Sequence, residues 1–222
     1  MLETAMNTEQ ARFNMIEQQI RPWNVLDQGV LSLLAMVRRE EFVPPAYRAL
    51  AFMDTEIPLP DGQSMLAPRV EARLLQEAQV LHHERVLEVG SGSGFMAALL
   101  AHRCQTVITL ERSPELAKLA AANLKRAGIG NVTVHQADGA KGLASEAPFD
   151  VIMLSGSLAK VPQALLEQLK TGGRLLAVVG HEPVMSAQRI RRVADTQWVT
   201  ENLFDTVVPR LTGFDEPSRF AF

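Results

Sequence analysis

The chain has 222 residues, of which 47% are hydrophobic and 21% charged: enough apolar material for a sizeable core, and too much for a disordered chain. Lys and Arg number 22 against 25 Asp and Glu, and the resulting net charge of −3 argues against a surface built as a whole to attract nucleic acid. The single cysteine, Cys104, excludes an intrachain disulfide and a cysteine-rich zinc site. No apolar run approaches the roughly 18 residues that span a bilayer. Glu3 and Glu9 stand where a secretory signal would be basic and then apolar, so the expectation is a cytoplasmic protein without a membrane partner.

In chain order, Thr8 is read as the cap of a first helix with Phe13, Ile16 and Ile20 on one face. Asp27 is read as the cap of a second helix carrying Val30, Leu34 and Val37, with Pro22, Pro44 and Pro45 as punctuation. From Arg85 the pattern changes to short β-branched or leucine-rich runs at 85–89, 106–110, 132–135, 151–154 and 174–179, separated by helical stretches. Between the second and third runs, Ser113 caps, Pro114 takes the first helical position, and Leu116, Leu119, Ala120 and Leu124 line one face before Gly128. This alternation predicts an α/β fold with a mostly parallel sheet and helices on both faces. The runs 189–193 and 198–203 have no helix between them and predict an antiparallel C-terminal edge, which 204–209 adds to or extends. Without an internal repeat or a low-complexity linker, residues 1–222 are expected to form one domain. Residues 1–80 are its helical elaboration, and 81–222 are its α/β core and C-terminal strands.

The chemical signal follows the first strand. Val86-Leu87-Glu88-Val89-Gly90-Ser91-Gly92-Ser93-Gly94 places three alternate glycines between a buried run and an apolar helix, so a ligand can approach the backbone closely. A nicotinamide dinucleotide site wants its third glycine one position later, where this chain has Phe95. Glu111 ends the second run about 20 residues after Gly90, the offset at which a carboxylate meets ribose hydroxyls. Asp138-Gly139 follows the third run and is placed to meet an adenine amino group, so three strand ends converge on one nucleoside. The blander reading makes these a tight turn, a solvated carboxylate and a turn start; three aligned pieces outweigh it. The His82-His83 pair lacks companion ligands, so no metal is expected. The run Arg189-Ile190-Arg191-Arg192 is read as alternation in a surface strand rather than as a phosphate-contacting patch.

At this point the sequence resembles a family. Glu88 to Phe95 is similar to the S-adenosylmethionine loop of class I methyltransferases, whose fold is Rossmann-like. Much of the rest resembles the protein-L-isoaspartate O-methyltransferases: Arg39-Glu40-Glu41-Phe42-Val43-Pro44, Asp54, Pro58-Leu59-Pro60-Asp61-Gly62-Gln63, and Pro68 opening a helix. Ala147-Pro148-Phe149-Asp150, Pro162-Gln163-Ala164-Leu165 and Leu169-Lys170-Thr171-Gly172-Gly173-Arg174 extend it along nearly the whole chain. The resemblance implies methyl transfer from S-adenosylmethionine, giving S-adenosylhomocysteine, to the free carboxylate of an isoaspartyl residue in damaged protein or peptide, a repair reaction. It implies that Gly90, Ser91, Gly92 and Gly94 cradle the amino acid part of the cofactor, that Glu111 meets its ribose, and that Asp138 and Gly139 meet its adenine.

On the acceptor side the family commonly has a Thr-Ile-Ser type segment where this chain reads Ser64-Met65-Leu66. Ser64 is expected to orient the acceptor catalytically, with Leu66 facing it. After the fourth run, Leu154-Ser155-Gly156-Ser157 replaces a usually alanine-rich segment, so Ser155 is expected to border the cofactor and Ser157 the substrate. That segment lacks the Asn or Asp-Pro-Pro-aromatic pattern of amino-methylating nucleic-acid enzymes. Leu66 leaves two alternatives open: methyl transfer to another small-molecule or protein acceptor, and a noncatalytic S-adenosylmethionine-binding role.

Overall fold

The computed structural model describes residues 2–216, with side chains described from residue 7. Its centre is a seven-stranded sheet made of β3 (Arg85–Val89), β4 (Thr106–Glu111), β5 (Val132–Gln136), β6 (Phe149–Leu158), β7 (Leu169–His181), β8 (Val184–Ala194) and β9 (Gln197–Asp205), and a two-stranded hairpin of β1 (Ile57–Pro58) and β2 (Ser64–Met65) lies outside it. The order is β5-β4-β3-β6-β7-β8-β9, parallel from β5 to β7 and antiparallel through β8 and β9. The α/β fold with an antiparallel C-terminal edge is therefore as the sequence predicts.

Parallel strands covered on both faces read as continuous apolar runs, and alternate residues of β3 divide between two cores. Val86 joins a cluster with Met153 and Leu176 under the helices α3 (Pro68–Ala78) and α4 (Phe95–Ala101). Leu87 joins Ile152 and Leu175 on the opposite face with Leu165 of α6 (Gln163–Glu167). The crossover α5 (Pro114–Arg126) starts as predicted, with the Ser113 hydroxyl accepting the Leu116 N–H at 3.2 Å and Pro114 in the first turn.

The N-terminal reading needs correction. Helix α1 (Leu2–Met15) begins before Thr8, so Thr8 lies inside a helix rather than at its cap. The chain then passes through a π-helical turn at 16–20, and the buried stripe runs through Arg12, Met15, Ile16 and Ile20. Phe13 falls at the outer edge of that stripe and is 59% exposed. The second helix, α2 (Gln28–Met36), is capped as expected, Asp27 accepting the Val30 N–H at 2.8 Å, and Val30, Leu34 and Val37 are buried.

At the other end of the chain, β8 is an interior strand, so the arginine run is not on a free edge. Arg189 is buried and pairs with Glu201 and Glu77, while Arg192 donates to the Leu169 carbonyl. Residues 204–209 extend β9 only to Asp205. The chain then returns to β6, where Arg210 forms a parallel bridge with Ser157. Among the described residues, no helix is long and apolar enough to cross a membrane, and no group of three or more His, Cys, Asp or Glu could hold a metal ion. His82 and His83 are exposed.

Candidate active site

The carboxyl ends of β3, β4 and β5 meet at the glycine loop. Gly90, Gly92 and Gly94 have φ of 92°, 50° and 85°, a left-handed region where a side chain would be strained. The loop thus folds tightly and leads into α4. Glu111, buried at the end of β4, accepts the Gly92 N–H at 2.9 Å and the Ser113 N–H at 3.0 Å. Each carboxylate oxygen keeps a further lone pair for a hydroxyl ligand. The Ser91 and Ser93 N–H groups have no acceptor among the described residues. Asp138 is exposed beyond β5, caps the turn at 139–141 by accepting the Ala140 N–H at 3.1 Å, and is followed by buried Gly139. A Cβ on Gly139 would lie 2.2 Å from Val89 Cγ1, so the close approach of these two strand ends itself requires glycine.

Two small cavities share Gly90. One, about 40 Å³, is lined by Gln63, Glu111, Gly139, Leu211 and Phe214 among others. The second, about 30 Å³, is lined by Ser64, Leu66, Glu71, Glu88, Ser91 and Ser155 among others. The structure thus brings Gly90, Ser91, Gly92, Glu111, Gly139, Ser155, Ser64 and Leu66 to one cleft, whereas Gly94 packs against Ala120 and Leu124 of α5 and Asp138 lines neither cavity. Ser64 is half-buried with its hydroxyl 3.4 Å from Glu56, and Leu66 is buried. The hairpin loop reaches across the cleft, where the Ser113 hydroxyl donates to Asp61 and Leu59 lies over Gly92.

Ser157 is turned away from the cleft altogether. Its hydroxyl donates to the Val208 carbonyl at 2.9 Å and its N–H to the Pro209 carbonyl at 2.8 Å, and the residue is fully buried. Two residues on from Ser155 in an extended strand it points to the same face, but β6 is bulged between Met153 and Ser157, and the returning C-terminal segment covers Ser157. It holds that segment rather than facing a substrate. The segment in turn seats Leu211 against Gly90 and Gly156.

Three residues here were not singled out from the sequence. Glu88 is completely buried in β3 and accepts from the hydroxyls of Thr109 and Ser155, both at 2.7 Å; Ser91 lies 2.6 Å from Thr109 at the end of this chain. Burial pushes its carboxyl up to about 8 against those two hydrogen bonds, so it carries a proton at neutral pH. Glu71 on α3 is likewise pushed up to about 7 by burial, opposed by Arg39. Arg39 is 1% exposed and donates to Glu71, to the Ala51 carbonyl at 3.1 Å and to the Leu66 carbonyl at 2.7 Å, with its guanidinium 4.9 Å above the Phe95 ring. A glutamate among the apolar residues Val86, Leu87 and Val89 of β3 was the available sequence signal for Glu88.

A family model described as protein-L-isoaspartate(D-aspartate) O-methyltransferase matches residues 10–213. The chain belongs to this family. It is 40% identical over 183 residues to a protein-L-isoaspartate O-methyltransferase of Koribacter versatilis, covering 82% of each chain. It is 42% identical over 185 residues to one of Rhodopseudomonas palustris, covering 83% of this chain and 75% of the relative. A solved Plasmodium falciparum structure, described as a protein-L-isoaspartate O-methyltransferase in complex with S-adenosyl-L-homocysteine, superposes with a TM-score of 0.78. It is 21% identical and covers 90% of this chain and 97% of that one. At that identity it speaks to the fold, which is the Rossmann-like fold of class I methyltransferases.

Proposed function

We propose that this family member methylates the free carboxylate of isoaspartyl residues in protein or peptide, using S-adenosylmethionine. The observation that carries the reading is the convergence of the left-handed glycine loop, buried Glu111 and Gly139 at three adjacent strand ends, directly across from the Ser64–Leu66 loop. Unpartnered N–H groups at Ser91 and Ser93 and a buried carboxylate with spare lone pairs fit the carboxylate and ribose of such a cofactor.

Gly90, Ser91, Gly92 and Gly94 hold the amino acid portion, Glu111 the ribose hydroxyls, and Asp138 with Gly139 the adenine; Ser155 borders the cofactor through its bond to Glu88. S-adenosylmethionine supplies a methyl group on an electrophilic sulfonium. The acceptor carboxylate, with a reference pKa near about 4, is ionised at neutral pH, so the chain has no need of a strong general base. Its residues position the acceptor and exclude water. Ser64 orients the acceptor and Leu66 supplies an apolar wall.

The test is transfer of label from S-adenosylmethionine to an isoaspartyl peptide, with the aspartyl peptide as control and cofactor binding followed in parallel. A base-labile product on the isoaspartyl peptide alone is expected. Cofactor binding without that product would move the acceptor to another class.

A further inference from the structure

The cavity lined by Glu111 and Gly139 measures about 40 Å³, against the roughly 300 Å³ or more of a pocket that takes a nucleoside-sized ligand. The chain returning to β6 closes it in: Leu211, Thr212 and Phe214 line it together with Glu111, Arg112 and Gly139. Leu211 comes so near the glycine loop that a Cβ on Gly90 would lie 2.7 Å from its Cδ2. Two residues on, a Cβ on Gly213 would lie 2.5 Å from Arg112 Nη1 and 3.1 Å from Asp138 Oδ1. Residues 211–214 therefore cross the cofactor side of the cleft, from the glycine loop to the end assigned to adenine.

This stretch is held mainly by side chains. Its base is tied to β6, where the Ser157 N–H bonds the Pro209 carbonyl at 2.8 Å and the Leu211 N–H bonds the Ser157 carbonyl at 2.9 Å. Beyond Leu211, among the described residues, no backbone hydrogen bond joins 212–216 to the sheet. The far end comes back through Glu216, whose carboxylate pairs with Arg210 Nε at 2.9 Å. Arg210 in turn donates from Nη1 to the Gly180 carbonyl at 2.9 Å, and its Nη2 lies 3.0 Å from His181 Nδ1 at the end of β7. One arginine thus pins both ends of the loop 211–215 to the sheet. Its pair with Glu216 is partly exposed, 28% for the Arg210 side chain and 46% for that of Glu216, so it parts without stranding a buried charge.

We propose that residues 211–216 are a strap that swings off the cleft to admit the cofactor and release its product, and that Arg210, through Glu216, is the clasp that sets how often it opens. The inference rests on the cofactor reading above and is independent of the methyl acceptor. A segment with few backbone bonds opens locally at far lower cost than the whole fold. Entry through such a gate is slowed by the fraction of time the gate stands open, and exit is slowed by the same clasp.

S-adenosylhomocysteine, which lacks the sulfonium charge, is the probe, with association and dissociation rates read by surface plasmon resonance on the full chain. Arg210→Gln should raise both rates about fivefold, as for loss of about one net hydrogen bond, so that Kd moves less than either rate. Glu216→Gln leaves Arg210 on the Gly180 carbonyl and should raise both about twofold, in line with an exposed pair. Added salt should bring the native association rate towards that of Glu216→Gln, because it screens the clasp and the probe carries no net charge. A side chain that merely braced the pocket wall would speed dissociation alone. An association rate unchanged in folded Arg210→Gln therefore overturns the gate, whether or not dissociation rises, and so does an unchanged association rate in Glu216→Gln if the arginine variant does not fold. A native chain that binds neither S-adenosylmethionine nor S-adenosylhomocysteine overturns the cofactor reading instead.

Discussion

The two sides of the cleft hold their carboxyl groups in different ways. On the side of the glycine loop, Glu111 and Asp138 accept from backbone N–H groups, Ser113 and Ala140 two residues on and Gly92 of the tightly folded glycine loop, and Glu111 keeps lone pairs to offer. On the acceptor side, Glu71 and Glu88 are fully buried, are bonded by side chains from distant segments, and are pushed up to about 7 and about 8. Backbone partners cost little to organise, because the turn that forms them is already fixed. Side-chain partners brought from elsewhere make the acceptor side depend on tertiary packing, and breaking them should cost more.

The largest effect is therefore expected at the buried ion pair. Arg39→Met leaves Glu71 without its counter-charge and should destabilise the fold by about 3–5 kcal/mol, read from urea unfolding. The double variant Arg39→Met/Glu71→Leu should recover most of that loss, because the penalty comes from an unpaired buried charge rather than from the pair's net worth. A double variant as unstable as the single one would remove the contrast between the two sides.

Next comes the pH dependence. Glu88 has its carboxyl raised from an ordinary 4.5 to about 8, so the native state holds a proton that the unfolded chain gives up. The stability this group contributes is fully present below about pH 4.5 and is lost as pH rises through about 8, with a slope of up to about 1.4 kcal/mol per pH unit. Glu71, raised to about 7, acts in the same sense over the lower part of that window. Glu88→Gln mimics the protonated acid and should flatten the fall in unfolding midpoint between about pH 5 and pH 8. Equal slopes in the two proteins would mean that Glu88 titrates normally.

On the other side of the cleft, Glu111→Ala should weaken S-adenosylmethionine binding by about 1.5–3 kcal/mol in calorimetry, through loss of a charged acceptor. Unchanged affinity would take Glu111 out of the cofactor site.

The same contrast explains what the sequence made legible. The strand runs and the Ser113-Pro114 start of α5 are local patterns, and so is the offset from Gly90 to Glu111, because a crossover of fixed size carries one strand end to the next. Glu71 and Arg39 lie 32 residues apart, and nothing local says that one buries the other. Thr8 was misread because a hydroxyl residue ahead of an apolar stripe looks like a cap whether or not the helix has already begun. Ser157 was misread because its partner, the chain at 208–209, follows it by some fifty residues and returns only after three further strands.

The smallest effect is expected at Ser157, and it is the sharpest check on that correction. Ser157→Ala removes the bond to the Val208 carbonyl but leaves the Ser157 N–H on the Pro209 carbonyl and the Leu211 N–H on the Ser157 carbonyl. The C-terminal segment should loosen without leaving, at a cost of about 1 kcal/mol. Because Leu211 rests on Gly90, the loosening should appear on the cofactor side, as faster amide exchange at Leu211 and a modest rise in the S-adenosylmethionine Kd. Peptide KM should not move, since the hydroxyl is turned into the C-terminal segment and away from the Ser64–Leu66 loop. A rise in peptide KM with Leu211 exchange unchanged would return Ser157 to the acceptor pocket and make the two sides of the cleft less separate than their hydrogen bonds indicate.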